Sequence, residues 1–218
     1  MRFLAIIVAL SLITACNASP LKNPALQSLN VVFNGFDDAP VTRQSVETLP
    51  YATMLAQIGK SGNALVVLTT AEGDKFSWIA ADKVVLVTQK GRLVKSIGLI
   101  QDRTAVHPLQ QEPLLQLAKQ PVETLNHRYT LDLRYKNLYA IPVNATLQFE
   151  GQETITILER TYQTRRYVEH NRCDILDWDF TNTYWLDVNS GFVWQSVQHL
   201  SPDLPPVFMA VTKPVAGR

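Results

Sequence analysis

The stretch "ALVVLTTAEGDKFSWIAADKVVLVTQKGRLVKSI", Ala64 to Ile97, alternates apolar and polar residues and is interrupted by the glycine-bearing clusters AEGD and QKG. A period of two sends successive side chains to opposite faces of an extended chain. Glycine in a short polar cluster supplies the positive φ that tight hairpin turns require. The stretch therefore reads as consecutive short strands, Ala64–Thr70, Lys75–Ala80, Val84–Thr88 and Arg92–Ile97, in an antiparallel meander.

The same rhythm extends in both directions. Tyr51 to Ile58 reads as a strand before it, and Arg128–Tyr135, Ala140–Glu150, Glu153–Leu158, Thr164–His170, Phe180–Val188 and Phe192–His199 read as strands after it. Between them, Gly98 to Asn126 breaks the pattern with Pro108, Pro113 and Pro121 around a helical patch at Glu112–Lys119. That segment is expected to be a linker or a connection across one end of a sheet. "PDLPP" and the last residues read as an irregular exit. The expected fold is all-β and mainly antiparallel: a meander forming a barrel-like or strongly curved sheet, with a short N-terminal helix and a small helical connection near the middle.

The N-terminus, "MRFLAIIVALSLITAC", has one cation, Arg2, then an apolar run from Phe3 to Ile13. A bilayer span needs roughly 20 apolar residues, so this shorter run fits the apolar core of a secretory signal peptide. Ile13-Thr14-Ala15-Cys16 resembles the lipobox of bacterial lipoproteins, which implies cleavage before Cys16, a thioether-linked diacylglycerol on its sulfur and acylation of its freed amine. Anchors of two or more chains hold stably at a membrane where one does not. Asn17 stands where aspartate would favour inner-membrane retention in that sorting system, and so implies export to the outer membrane. The expected organisation is a removed signal peptide over residues 1–15, a lipidated tether over 16–22, and one β-rich domain over 23–218. That domain could consist of two pseudo-repeated halves joined around residues 99–126.

At the start of the domain, Asn23 can cap a helix and Pro24 suits its first turn. Leu26, Leu29, Val32 and Phe33 then fall on one face, and Gly35 ends the helix. The polar face is not basic, so packing on the domain is the expected role of the stripe rather than membrane binding.

Composition narrows the function classes. Losing Arg2 from the 20 basic residues balances the chain against its 19 acidic ones. Without a basic run or patch the chain lacks the footprint of a nucleic-acid binder. With Cys16 lipidated, Cys173 is the other cysteine of the two, so an intrachain disulfide is not expected.

Motifs that could carry chemistry are incomplete. "GKSG" at Gly59 lacks the earlier glycine of a phosphate-binding loop, where Met54 stands. "CDILDWD" supplies Asp174, Asp177 and Asp179, but Asn182 and Val188 occupy the glycine and glutamate positions of a calcium loop. His107, His127, His170 and His199 are scattered without ligand spacing. In "EHNRCD", alternation sends Glu169 and His170 to opposite faces, which separates the pair. No metal, cofactor or catalytic residue is expected, and the protein reads as a non-enzyme.

"NTYWLDVNSGFVWQSVQHL", Asn182 to Leu200, concentrates aromatic residues around one glycine. Alternation puts Tyr184 and Leu186 on one face, Trp185 and Asp187 on the other, and Phe192 with Trp194 on one face of the return strand. Trp185, Trp194 and Tyr184 are the candidate contacts for a glycan or protein partner. "LVTQKGRLVKS" (86–96) and "LDVNSGFVWQS" (186–196) align without a gap. Each is expected to turn through three or four residues with glycine at a G1 bulge. Duplication and convergence on common turn chemistry both remain open.

These residues together resemble the group 4 capsule polysaccharide lipoprotein family, GfcB/YjbF, of Gram-negative exopolysaccharide and capsule gene clusters. The resemblance is carried by "LPYATMLAQIG" at Leu49 with the following "LVVL", by "WIAADKVVLVTQKGRLVKSIGL" at Trp78, by "YVEH" at Tyr167 and, most specifically, by "FTNTYWLDVNSGFVWQSVQHLSP" at Phe180. Val188 and Ser190 depart from the family's Asp-Pro and Thr-Gly turn. The resemblance implies a barrel-like domain held by lipid at the outer membrane, facing the periplasm and assisting polysaccharide secretion or assembly. Its expected partners are polysaccharide or export-machinery proteins. The competing classes are a carrier of lipid or lipid-linked intermediates with an apolar cavity, and a polysaccharide-modifying enzyme.

Overall fold

The structure is a computed structural model that describes residues 41–108 and 111–216. The expected signal peptide, Cys16, the tether and the Asn23–Gly35 helix lie outside the described residues.

Along the chain run α1 (Arg43–Glu47), β1 (Thr53–Ile58), β2 (Ala64–Glu72), β3 (Lys75–Ile79), β4 (Val85–Gln89), β5 (Arg92–Ile97) and β6 (Ala105–Pro108). Then come α2 (Pro113–Lys119), β7 (Thr124–Leu133), β8 (Leu138–Ile157), β9 (Arg160–Cys173), β10 (Trp178–Asp187), β11 (Val193–Gln198) and β12 (Val207–Lys213). The 12 strands form one antiparallel sheet in the order β5-β4-β3-β2-β1-β12-β11-β10-β9-β8-β7-β6. That order is cyclic. Every neighbour is also a sequence neighbour except the β12–β1 pair, which joins the two ends of the meander and leaves a seam between β5 and β6. Ser96 N–H of β5 donates at 2.9 Å to Arg103 O in the connection leading into β6, and the result is a nearly closed barrel-like sheet, the antiparallel meander expected from the sequence.

Two expectations are corrected. The 98–126 connection contains a strand of its own, β6, which pairs with β7 from Ala105↔Asp132 to Pro108↔Tyr129. The C-terminal "exit" is β12, paired with β1 and β11. Its sequence, VFMAVTK, does not alternate because both of its faces are covered. Val207, Met209 and Val211 pack inward, while Ala210 and Phe208 belong to a separate outer cluster.

That outer cluster comes from the long β8–β9 hairpin. The two expected strands Ala140–Glu150 and Glu153–Leu158 are one strand with a bulge at Gly151, φ +124°, where the register shifts between Phe149↔Tyr167 and Gly151↔Arg166. A bulge bends its strand. Beyond it, Ile155, Ile157 and Tyr162 pack with Leu55 of β1, Ala210 of β12 and the half-buried Trp185 and Trp194.

The two aligned hairpins do not share a geometry. Gln89↔Arg92 closes a two-residue turn in which Lys90 (φ 53°) and Gly91 (φ 89°) both have positive φ, the type I′ signature, in place of the expected G1 bulge. The later turn is longer, with Gly191 N–H donating to Asp187 O at 3.0 Å. Asp187 sets it by accepting from the Asn189 and Ser190 N–H groups, the Ser190 hydroxyl and Trp194 Nε1. Leu86 pairs with Ser96, whereas Ser196 pairs with Tyr184, so the register is not repeated.

Candidate functional site

The start of β1, the end of β12, the β2–β3, β4–β5 and β10–β11 turns and α2 meet at one end of the barrel. There they enclose a chamber of about 440 Å³. Its inner wall is hydrocarbon and aromatic: Met54, Trp78, Met209 and Val211, with Phe76, Phe192 and Trp194 nearer the mouth. Phe192 and Trp194 meet edge to face at 4.7 Å, as do Phe76 and Trp78 at 6.1 Å. Two hydroxyls on the wall accept hydrogen bonds from within the barrel. Thr88 Oγ1 accepts from Trp78 Nε1 at 2.9 Å, and Ser196 Oγ accepts from Gln198 Nε2 at 2.9 Å. Lys90 and Asp74 form an ion pair at the rim, 2.6 Å apart. A concave, mostly apolar cavity with few polar groups is the usual form of a small-molecule site.

The chamber is this shape because α2 is pinned over the barrel end. Glu112 caps the helix by accepting from Leu114 N–H at 3.4 Å, and its carboxylate also accepts from Arg92 Nε at 3.0 Å. At the other end of the helix, Gly191 lies so close to Ala118 that a Cβ on it would stand 2.3 Å from the Ala118 Cβ and 2.4 Å from its Cα. Leu114 and Leu117 of α2 are buried against Leu147, Tyr167, Tyr184, Leu186 and Val193.

Behind α2 lies a buried ionic network. Glu169, 0% exposed on β9, accepts from Arg92 Nη2 at 2.7 Å, Asn182 Nδ2 at 2.8 Å, His127 Nε2 at 2.9 Å and the Tyr184 hydroxyl at 3.2 Å. Burial alone would push the Glu169 carboxyl up. The Arg92 guanidinium, with the hydrogen bonds from His127 and Arg92, outweighs it and holds the group well below the usual carboxylate range. For Arg92, burial opposes the charge, but the Glu112 and Glu169 carboxylates raise its pKa further above its ordinary value. Every charge here is met by an opposite charge and fixed dipoles, which makes the network a brace between β5, β7, β9, β10 and α2.

Sequence reasoning did not find this network, because its members lie far apart in the chain. The available signal was Glu169 itself, a charged residue in phase with the inward-facing Tyr167, Asn171 and Cys173 of β9. The separation of Glu169 from the exposed His170 is as the alternation predicts. Cys173 is buried in the barrel core, where burial pushes its thiol up and away from the reactive thiolate.

The three candidate contact residues part company. Tyr184 is 0% exposed, with its hydroxyl on Glu169 and Gln198, so its expected role as a partner contact is corrected: it belongs to the brace. Trp185 lies on the outer face, its Nε1 donating to Glu153. Trp194 lines the chamber and packs against Tyr162 of the β8–β9 tip, with ring centroids 4.0 Å apart and planes tilted by 31°. A broad polar groove of about 830 Å³ runs over β7, β8 and β9, with Asn126, Arg128, Asn144 and His170 among its residues. Its Arg172 is tied by Asp174, Asp177 and Asp179 at 2.8 to 2.9 Å.

Among the described residues no group of three or more His, Cys, Asp and Glu is placed to hold a metal ion. No helix among them is long and apolar enough to cross a membrane.

Known proteins resemble this chain. The uncharacterized lipoprotein GfcB of Escherichia coli K12 is 30% identical over 181 residues, covering 81% of this chain and 83% of its own. The uncharacterized lipoprotein YjbF of the same organism is 28% identical over 212 residues, 96% of each chain. The crystal structure of the hypothetical lipoprotein YmcC from Escherichia coli K12 superposes with a TM-score of 0.70 at 28% identity, over 82% of this chain and 91% of that one. Residues 26–211 match the family described as group 4 capsule polysaccharide lipoprotein gfcB, YjbF. With that match spanning the brace and nearly all of the barrel, the chain belongs to the YjbF family of group 4 capsule polysaccharide lipoproteins.

Proposed function

We propose that this protein is a non-catalytic accessory of capsule or exopolysaccharide export, held at the outer membrane by lipid on Cys16, facing the periplasm and working by binding. The family and the lipobox support the process and the place. The apolar chamber at the barrel end supports binding, and it favours one ligand class. A bare sugar would bring several hydroxyls against Met54, Trp78, Met209 and Val211, where the Thr88 and Ser196 hydroxyls are too few to pair them all, at a cost of about 1–3 kcal/mol for each hydroxyl left unpaired. A hydrocarbon chain loses nothing by the same move and gains roughly 25 cal/mol for each Å² removed from water. The chamber therefore fits the hydrocarbon part of a lipid or lipid-linked intermediate. Glycan or an export protein would meet the outside, at Trp185 or along the polar groove.

Deleting the gene in its native host is expected to reduce the exported polysaccharide or change its chain length; export unaltered in both respects would sink the process. Val211→Trp fills part of the chamber from its inner wall without touching the brace. It is expected to reproduce the deletion while the protein remains at normal abundance, and undiminished export would separate the chamber from the function. Cys16→Ser should abolish labelling by radioactive palmitate and release the protein from the membrane fraction.

A further inference from the structure

The barrel end opposite the chamber has a surface of a different kind. Among the described residues the large apolar side chains left exposed are Ile97, Ile100, Tyr139 and Ile175, and all four sit there. Ile97 ends β5, Ile100 lies in the connection to β6, Tyr139 is near the start of β8 and Ile175 tips the β9–β10 turn. Single exposed apolar residues are ordinary, whereas several gathered on one face mark an interaction surface. The β7–β8 and β9–β10 turns at this end have the same backbone. Each is one turn of 3-10 helix, Arg134–Lys136 and Asp174–Leu176, followed by a left-handed residue, Asn137 (φ 53°, ψ 35°) and Asp177 (φ 46°, ψ 48°). The closing pairs, Leu133↔Leu138 and Cys173↔Trp178, correspond as well. Tyr135, Leu138 and Leu176 pack on the core beneath, so both turns are held at their base. Their charges are opposite. The first turn carries the exposed Arg134 and Lys136, with Lys136 reaching Asp203 at 3.5 Å. The second carries Asp174 and Asp177, which share Arg172 with Asp179, three carboxylates to one guanidinium.

We propose that this barrel end is an interface between two copies of the protein, related by a two-fold axis that sets the basic β7–β8 turn of each on the acidic β9–β10 turn of the other. Two strands, β8 and β9, separate the turns, about 10 Å at the usual strand spacing. Congruent turns of opposite charge, side by side, form a surface complementary to itself after a half rotation, which is what an isologous dimer requires. Both ionic contacts then form together, and Ile175 and Tyr139, carried on and beside the turns, lose their exposure to water with them. An unrelated partner would have to reproduce this pattern of relief and charge; a second copy has it by construction. An axis along the membrane normal lays the two barrels end to end with both chain starts at the same height, so each copy keeps its own lipid anchor. The chambers lie at the outer ends of the pair and stay open, and the interface does not depend on what they hold.

The test expresses two differently tagged full-length copies together in the native host. Membranes are dissolved in mild detergent, one copy is captured, and the other is quantified. Arg134→Asp/Lys136→Glu makes both turns acidic. Asp174→Lys/Asp177→Asn makes both basic and keeps at the left-handed position a residue at ease there. All four positions are exposed, so neither variant disturbs the core. Parent copies are expected to capture each other. Either variant paired with itself sets like charges against each other, and its capture should fall at least about fivefold. The mixed pair, one copy of each variant, sets opposite charges at both contacts and should return to the parent level. Such a rescue also excludes a folding defect as the cause of the loss. No capture between parent copies, undiminished capture within either variant, or a mixed pair as weak as the unmixed ones would overturn the proposal. The last result is the one that bridging by a third protein would give.

Discussion

Glu169→Ala is expected to lower the unfolding free energy by about 3–5 kcal/mol, enough to leave a domain of ordinary stability partly unfolded. The loss follows from what remains: Arg92, 3% exposed, keeps only Glu112 as a carboxylate partner, Asn182 and His127 lose their acceptor inside the barrel, and the Tyr184 hydroxyl is left with Gln198 as its acceptor. A buried cation stripped of one of its two carboxylates costs more than the intact pair contributes, so the double change Glu169→Leu with Arg92→Met should be less damaging than Glu169→Ala alone. Urea unfolding of the three chains measures both effects. A loss below about 1 kcal/mol in Glu169→Ala would show that the network does not brace the barrel.

The same carboxylate sets an acid limit. Its folded pKa lies below the value of about 4.3 that a glutamate has when unfolded. A depressed pKa stabilises the fold fully above the unfolded value, and that contribution drains away as pH falls toward the folded one. Stability should therefore decline from about pH 5 downward, and the decline should be shallower in Glu169→Gln, which has no proton to take up there. Parallel pH profiles for the two chains would assign the acid limit to other carboxylates.

Gly191→Val is the second substitution with a large expected effect, a loss of about 3 kcal/mol or more. Its φ of +69° strains any L side chain by roughly 1–2 kcal/mol. Overpacking against Ala118 adds about 1–3 kcal/mol more, since the atoms in the way include backbone. Relief would come from lifting α2 off the barrel end, which opens the chamber. Near-ultraviolet circular dichroism and urea unfolding should show both. Gly73→Ala separates the causes: it sits at a comparable positive φ, +57°, but no described residue lies within 4 Å of its Cβ. Gly73→Ala and Gly191→Ala losing equal stability would mean that the contact with Ala118 carries no weight.

These glycines show how a pattern in the chain can be right about a position and incomplete about its reason. A turn explains the positive φ of Gly91 and Gly191. It does not explain why a Cβ on Gly91 would stand 2.4 Å from Val193 Cγ2, or why one on Gly191 would enter α2. Both approaches join segments remote in sequence. Trp185 and Trp194 make the same point, since alternation gives the face of each within its strand, but not that the fold-back of the β8–β9 tip packs against both.

Alternation and turn chemistry determined the antiparallel meander, most strand positions, the α2 patch and the sides of β10, because each depends on residues a few positions apart. The same local order determined the lipobox expectation at Cys16 and, through longer motifs, the family. Closure did not follow from any local pattern: β12 loses its alternation by being covered inside and out, and β6 is too short to show a period. The Arg92–Glu169–Glu112 brace and the apolar chamber were likewise decided by tertiary structure. Burial, charge pairing and cavity shape are properties of side chains brought together across the barrel, 77 residues apart in the case of Arg92 and Glu169.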